Sequence, residues 1–240
     1  MLSYGKTDIG LKRSMNQDNV FYSDDPLGNL PNLYIVADGM GGHKAGDYAS
    51  SYAVRRFTEF VKRCDDENPL TIMKKGIQEV NLGMLAASKS REDLSGMGTT
   101  FVVAVVKDHH LYVANIGDSR LYILQKDQIR QITLDHSLVE ELIRTGQLDP
   151  LKIRNHPEKN IITRALGIGD EAIPDFFELE LTMDEQILLC SDGLTNMVED
   201  DEILNIITEE REPKSAVERL IERANYYGGK DNIAALVVTQ

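Results

Sequence analysis

The hydrophobic positions along the chain follow two different periods. Nine short segments are rich in Val, Ile, Tyr and Phe and are bounded by Gly, Asp or Asn, which is typical of β-strands. They span residues 19–22, 33–37, 99–106, 111–116, 120–124, 129–133, 176–181, 186–190 and 233–238. Several links between them are too short for the crossover helix that a parallel pair needs, so we expect mainly antiparallel sheets.

Two other stretches repeat their apolar residues at the 3.6-residue period of an amphipathic helix. Their apolar faces consist of Ala49, Ala53, Phe57 and Phe60 in the first and, after Pro69, of Leu70, Met73, Ile77, Val80 and Met84 in the second. Proline is favoured at the first position of a helix, which supports a start near Pro69. The pattern therefore predicts two long consecutive helices.

Capping-box patterns mark further helix starts. Ser137 with Glu140, and Ser215 with Glu218, have the spacing in which a side-chain oxygen caps the first turn. Strands interrupted by a helix pair, with helices again near the end, predict antiparallel sheets covered by helices. Since no repeat, low-complexity tract or linker divides the chain, we expect a single domain over residues 1–240.

Composition limits the classes of function. The 240 residues are 42% hydrophobic, enough for a sizeable core, and the formal net charge of −13 disfavours nucleic acid as a partner. Cys64 and Cys190 are too few for a disulfide scaffold and indicate a reducing compartment. The longest apolar run, residues 101–106, is far too short to span a membrane. We therefore expect a soluble cytoplasmic protein without membrane insertion.

Aspartates lie at the ends of the predicted strands. Three of them follow strands and two precede strands, and in antiparallel pairs these positions meet at one edge; the five are Asp38, Asp118, Asp192, Asp18 and Asp231. A single Asp-Gly at a strand end is most often a turn. Five converging carboxylates instead repel one another unless protons or cations intervene.

Bound metal is the chemical implication of such a cluster. Oxygen ligands suit Mg²⁺ or Mn²⁺, and no His or Cys pair has zinc spacing. Two such ions would activate water near neutral pH and clamp a phosphoryl or similar group. The pattern therefore favours a metal-dependent hydrolase.

An ordered set of motifs carries a resemblance to a known family. The motifs are Arg13 with Asn16-Gln17-Asp18, Val36-Ala37-Asp38-Gly39-Met40-Gly41-Gly42, Gly98-Thr99-Thr100, Asn115-Ile116-Gly117-Asp118-Ser119-Arg120, Ser191-Asp192-Gly193-Leu194 and Asp231-Asn232-Ile233. In this order and spacing they resemble the metal-dependent Ser/Thr protein phosphatases, protein phosphatase type 2C, in their compact bacterial form. The resemblance runs from about residue 6 to residue 238.

The resemblance implies a fold and an activity. The expected fold is α+β, a four-layer α-β-β-α sandwich in which helix pairs flank two central antiparallel sheets. The expected activity is hydrolysis of phosphoserine and phosphothreonine in proteins by a hydroxide that bridges two Mn²⁺ or Mg²⁺ ions. Phosphorylated proteins, among them a Ser/Thr kinase and its substrates, are the implied partners. The alternative is a noncatalytic phosphatase-like regulator that binds a kinase or phosphoprotein.

The same resemblance assigns the metal ligands. Asp38 is similar to the carboxylate that bridges both ions, and the carbonyl of Gly39 would bind one of them. Asp192 and Asp231 are similar to ligands of the other ion. Asp118, together with Asp192, resembles the ligands of a third, weaker site.

Other roles follow from the resemblance as well. Asp18 would order water beside the metals, and Arg13 would bind the substrate phosphate, to which a guanidinium can donate two hydrogen bonds. Many eukaryotic members have a histidine directly after the Asp-Gly pair, where this chain has Met40. His43 is the candidate general acid in its place, with water on the metals as the alternative. Residues from about 135 to 169 form a mostly helical insertion between strands, and the family's flap lies within this region, beside the active site.

Overall fold

The computed structural model of the chain describes residues 1–42, 45–149, 152, 156–210 and 212–240. Its strands are β1 (Leu2–Asp8), β2 (Asp18–Ser23), β3 (Leu33–Met40), β4 (Gly98–Thr99), β5 (Phe101–Lys107), β6 (His110–Ile116), β7 (Arg120–Gln125), β8 (Gln128–Gln131), β9 (Asp175–Glu180), β10 (Gln186–Cys190) and β11 (Ile233–Thr239). Its helices are α1 (Ala45–Arg63), α2 (Pro69–Ser90), α3 (Leu138–Arg144), α4 (Asp192–Thr195), α5 (Asp200–Glu209) and α6 (Pro213–Tyr226).

The strands form two antiparallel sheets. The first sheet has the order β1-β11-β10-β7-β8, and the second has the order β2-β3-β5-β6-β9 with β4 paired to β3. The two sheets face each other through β1 and β11 of the first and β2 and β3 of the second. Strands β2, β3 and β11, which carry or follow Asp18, Asp38 and Asp231, therefore lie where the two sheets face each other.

Three separate apolar clusters hold four layers together. One lies between the sheets and contains Val36, Val102 and Leu236. The second lies between the second sheet and helices α1 and α2, where Phe57 packs against Phe101 at 5.2 Å between ring centroids. The third joins the first sheet to helices α4, α5 and α6. This arrangement is the predicted α-β-β-α sandwich.

Most predicted elements form within a few residues of their expected bounds. The strand predicted over residues 99–106 is divided into β4 and β5, and both long helices form where the 3.6-residue period places them. Ser137 caps α3 as predicted, since its hydroxyl accepts a hydrogen bond from the backbone N–H of Glu140. Among the described helices, none has the length and apolar character needed to cross a bilayer.

Two features of the fold differ from the expectations. Ser215 does not cap a helix, because α6 begins two residues earlier at Pro213, whose ring fits the first helical turn. The hydrophobic pattern does not predict strand β1, because β1 is a half-exposed edge strand with a polar sequence that pairs with β11.

We expect Asn32 to contribute strongly to the stability of the second sheet. Its amide, 4% exposed, donates to the carbonyl of Val106 and accepts from the N–H of Val106, both at 2.8 Å. Asn32→Ala leaves both buried backbone groups unpaired and should lower the free energy of unfolding by about 2–3 kcal/mol. Urea unfolding measures this, with the exposed Asn205→Ala as control. Equal stabilities for the two variants would contradict the prediction.

Candidate metal centre and active site

Asp18 and Asp38 lie directly opposite each other on adjacent strands. The register of β2 against β3 pairs the two residues. Asp38 is inside β3 rather than after its end, which corrects the expected strand boundary. Thr100 fixes its backbone, since the Asp38 N–H donates to Thr100 Oγ1 and the Thr100 N–H donates to the Asp38 carbonyl, both at 2.9 Å.

Gly39 allows helix α1 to approach this strand. A Cβ at position 39 would lie 2.0 Å from the carbonyl oxygen of Gly46, so only glycine fits here. The Gly39 N–H donates to the carbonyl of Gln17 at 3.0 Å. The start of β2, the end of β3 and the first turn of α1 therefore meet beside Asp38.

Ser191 joins the two sheets at the site. Its hydroxyl donates to Asp18 Oδ2 at 2.7 Å and accepts from the N–H of Ala234 at 2.9 Å. Asp192 follows directly at the start of α4. This turn is tight, because a Cβ on Gly193 would lie 1.8 Å from the carbonyl oxygen of Asn232. Ser191 thus places Asp192, from the first sheet, beside Asp18 from the second.

Arg13 is held against Asp231 by the loop that precedes β2. Arg13 Nη2 donates to Asp231 Oδ2 at 2.7 Å, and this bond raises the pKa of the guanidinium. Asn232 secures the loop, since its Nδ2 donates to the carbonyl of Met15 and its Oδ1 accepts from the N–H of Gln17, both at 2.9 Å. The loop therefore presents Arg13 at the edge where β11 begins.

Asp118 reaches the site from the turn between β6 and β7. Gly117 has a φ of +110°, which favours glycine, and its N–H donates to Nδ1 of His136 at 3.1 Å. The hydroxyls of Ser119 and Thr100 share a hydrogen bond of 2.7 Å. Thr100 therefore contacts both the strand of Asp38 and the turn of Asp118.

Two further polar residues extend the site beyond those chosen from sequence. Asn196 Nδ2 donates to Asp192 Oδ2 at 2.8 Å, and Lys159 Nζ donates to Asn196 Oδ1 at 2.9 Å. The spacing of four residues on one helical turn is the sequence signal that could have identified Asn196. No local signal marks Lys159, which is 37 residues away.

Burial and mutual repulsion raise the pKa values of two facing carboxyls. The pKa of Asp18 rises to about 7, mainly because burial disfavours its charged form. Repulsion by Asp192 and Asp231 raises this pKa further, whereas the hydrogen bond from Ser191 lowers it. The pKa of Asp38 lies well above its usual range, again through burial and then through repulsion by Asp18.

The other two perturbed carboxyls behave similarly. The pKa of Asp192 rises to about 6 through burial and repulsion by Asp231, and the positive charges of Arg120 and Lys159 oppose this rise. The pKa of Asp118 lies well above its usual range through burial and repulsion by Asp192. The five carboxylates therefore form one electrostatically connected cluster.

The donor set fits hard divalent cations. Oδ1 of Asp18 and Oδ1 of Asp118 are buried without a hydrogen-bond partner, and cations would relieve the repulsion among the carboxylates. In the described part of the chain, no group of three or more Asp, Glu, His or Cys side chains is arranged to hold a metal ion without other ligands. Mg²⁺ usually keeps several waters and binds through one or two protein carboxylates, so a complete protein shell is not required.

His43, the candidate general acid, lies outside the described residues. Met40, which stands where many eukaryotic members have histidine, is the last residue of β3.

We expect the charge of Asp18 to destabilise the metal-free protein as the pH rises. Its pKa of about 7 lies above the unfolded value of about 3.9, so the folded state binds more protons between about pH 4 and pH 7. This contribution to the free energy of unfolding is lost as the pH rises through that window. In EDTA, Asp18→Asn should therefore raise the Tm relative to wild type more at pH 8 than at pH 5.

Thermal unfolding at both pH values measures this difference. The exposed Asp65→Asn serves as control and should show the same small effect at each pH. An Asp18→Asn variant whose Tm relative to wild type does not depend on pH would contradict the raised pKa. Added Mn²⁺ should stabilise the wild-type protein more than Asp18→Asn at pH 8.

Comparisons with known proteins identify the family of the chain. The family model "Protein phosphatase 2C" matches residues 9–233. The serine/threonine phosphatase stp of Listeria welshimeri is 45% identical over 239 residues, which cover 97% of this chain and 93% of the relative.

Two solved structures share the whole fold. The serine/threonine phosphatase Stp1 from Staphylococcus aureus superposes with a TM-score of 0.92 at 32% identity, over 100% of this chain and 95% of that one. The catalytic domain of the serine threonine protein phosphatase PstP, in complex with two manganese ions, superposes with a TM-score of 0.86 at 32% identity. The match covers 98% of this chain and 96% of that one. The chain therefore belongs to the protein phosphatase 2C family of metal-dependent serine/threonine phosphatases.

Proposed function

We propose that the chain hydrolyses phosphoserine and phosphothreonine in proteins with two Mn²⁺ or Mg²⁺ ions held by its aspartate cluster. The observation that carries this proposal is the convergence of carboxylates from both sheets, with Asp18 opposite Asp38 and Ser191 bonded to Asp18. The two manganese ions of PstP, a structural relative, support the number and kind of ions. When bound, such ions supply an activated water and stabilise charge on the phosphoryl group.

The metal ligands that we propose come from both sheets. The carboxylate of Asp38 and the carbonyl of Gly39 would hold the ions from the end of β3. Asp192 and Asp231 would hold them from the first sheet. Asp118 with Asp192 would form a third, weaker site, which the unpartnered Oδ1 of Asp118 supports.

Asp18 orders the attacking water in this mechanism. Ser191 donates to Asp18 Oδ2, which leaves the buried Oδ1 as an acceptor for water at the cluster. The role of Asp18 is to position water rather than to attack phosphorus.

Arg13 binds the phosphate of the substrate. Its side chain is 52% exposed, so incoming substrate can reach it, while its bond to Asp231 holds it beside the metal ligands. A planar guanidinium can donate two parallel hydrogen bonds to phosphate oxygens. Arg13 therefore orients the phosphoryl group toward the aspartate cluster.

Residues 135–169 act as a flap within a single catalytic domain of residues 1–240. Contacts at the two ends of the segment support this assignment. Arg120 donates to Asp135 through Nε and Nη2, and Leu166 pairs with Thr99. The described part of the segment between these anchors carries α3 and Lys159 on the side of the metal cluster.

Phosphorylated proteins are the substrates, and a Ser/Thr kinase with its own substrates is the partner that we propose. The setting that we propose is the cytoplasm, which the unpaired thiols of Cys64 and Cys190 support.

Removal of a metal-binding carboxylate should abolish turnover. Asp38→Asn or Asp192→Asn should lower kcat/KM by about 10²- to 10³-fold or more, because the ions and the charge stabilisation that they provide are lost. Phosphate release from p-nitrophenyl phosphate and from a phosphothreonine peptide, with Mn²⁺, Mg²⁺ or EDTA, measures the effect. Isothermal titration with Mn²⁺ should show weaker binding to both variants.

The exposed Asp65→Asn, which makes the same chemical change on the surface, is the matched control and should retain wild-type turnover. Full activity of Asp38→Asn would refute the mechanism. An inactive, folded wild-type protein in both metals would instead favour a noncatalytic regulator.

Substitution of Arg13 should mainly weaken substrate binding. Arg13→Ala should raise KM for a phosphothreonine peptide by about tenfold or more, because a charge-assisted bidentate contact is lost. Arg13→Lys retains the charge without the planar fork and should recover only part of this loss. Initial-rate kinetics separate the two parameters, and an unchanged KM in Arg13→Ala would contradict the assigned role.

A further inference from the structure

A cavity of about 630 Å³ adjoins the aspartate cluster. It shares Asp118 and Asp192 with the cluster and extends away from Arg13 toward α3 and the start of α5. Its volume lies within the range of about 300–1,000 Å³ that is typical of ligand pockets. Val139 and Thr195 contribute to its walls, so the cavity can also pack the apolar stem of a long side chain.

Negative charge dominates the lining of this cavity. Six carboxylates line it, against the two basic side chains of Arg120 and Lys159; the acidic residues are Asp118, Asp135, Asp192, Glu199, Asp200 and Asp201. Both basic side chains are engaged with the protein, since Arg120 bonds to Asp135 and Lys159 bonds to Asn196. Asp118 and Asp192 are proposed metal ligands and Asp135 is paired with Arg120, so the net negative charge lies at the end of the cavity lined by Glu199, Asp200 and Asp201.

Helix stability explains only part of this acidic lining. Asp200 and Asp201 lie in the first turn of α5, where negative charge interacts favourably with the helix dipole. Asp118 and Asp135 belong to other segments and gain nothing from that dipole. Asp118 is only 7% exposed, and its unpartnered Oδ1 belongs to the proposed third metal site, so it does not count as an acceptor for a ligand of the cavity. The exposed carboxylates of Asp200 and Asp201 are the acceptors that a cationic side chain can reach.

A second cavity on the other side of Asn196 has the opposite character. This cavity, of about 380 Å³, is lined by Arg13, Lys159 and Lys230, with Asp231 as its acidic residue. The hydrogen bond between Lys159 and Asn196 separates the two cavities. The surface around the metal cluster is therefore positive on the side of Arg13 and negative on the side of α5.

We propose that the acidic cavity binds a Lys or Arg side chain that flanks the phosphorylated residue of the substrate. This inference rests on the proposed phosphatase function. The phosphate occupies the side of Arg13 and the metal cluster, and a neighbouring basic residue of the same peptide enters the cavity lined by Asp200 and Asp201. Charge complementarity selects this occupant, because an acidic side chain there would face several carboxylates.

Matched phosphothreonine peptides test the proposal. One series carries Lys or Arg at positions one to four residues from the phosphothreonine, and the reference peptide carries Ala at those positions. Wild type should show a kcat/KM for the best basic peptide about threefold to tenfold above that for the Ala peptide, mostly through KM. Asp201→Lys should remove or reverse this preference, and Asp201→Asn should reduce it by less.

Glu222→Lys is the matched control. It makes the same change in net charge at an exposed position of α6 that lines neither cavity, so it should keep the wild-type preference. If Glu222→Lys lost the preference for basic peptides as fully as Asp201→Lys, the preference would come from the net charge of the whole protein. The proposal that the cavity binds a basic side chain would then be wrong. The Tm of each variant checks that α5 remains folded.

Other outcomes separate this proposal from the one on which it rests. Wild type that releases phosphate from p-nitrophenyl phosphate but treats basic and Ala peptides alike would overturn the cavity assignment and leave the phosphatase function intact. An Asp201→Lys variant that changes only the Mn²⁺ concentration needed for activity would show that the cavity holds a cation instead. Wild type inactive on every substrate would contradict the phosphatase function itself.

Discussion

Mutual repulsion among buried carboxylates is the constraint on which the rest of this structure depends. Five aspartates from two sheets are brought close enough that burial and neighbouring negative charge raise the pKa values of four of them, Asp18, Asp38, Asp118 and Asp192. Such a cluster opposes folding unless protons or cations compensate its charge. In the function that we propose, divalent metal ions supply that compensation, so the feature that costs stability in the metal-free chain would also be the one that binds the cofactor.

Rigid neutral contacts hold the cluster together against this repulsion. Ser191 bonds across the sheets to Asp18, and Thr100 fixes the backbone at Asp38. Two glycines allow main chains to approach where any side chain would collide, Gly39 against α1 and Gly193 against the start of β11. These contacts carry no charge, and they leave carboxylate oxygens available to cations. Their common effect is to fix the positions of the proposed metal ligands in the metal-free chain, as a preorganised catalytic centre requires.

Charge is distributed asymmetrically around the aspartate cluster. Arg13 and Lys230 lie on one side, and the acidic start of α5 lies on the other. Lys159 and Asn196 form the boundary, and Lys159 also lowers the pKa of Asp192 against the repulsion of the other carboxylates. A chain with an overall charge of −13 thus has a local positive region beside a negative one, which we propose to receive the phosphate and a basic side chain of the substrate. Net charge alone describes neither region.

The sequence by itself determined most strands, both long helices and the positions of the aspartates, because periodicity and turn residues act over a few neighbouring positions. The ordered motifs determined the family. Tertiary structure alone decided that Asp18 faces Asp38, that Ser191 bonds to Asp18 across 173 residues, and that edge strand β1 forms. It also decided the link from Lys159 to Asn196 and the two cavities of opposite charge. These features arise where distant segments pack, and no local pattern of side chains encodes which segments will meet.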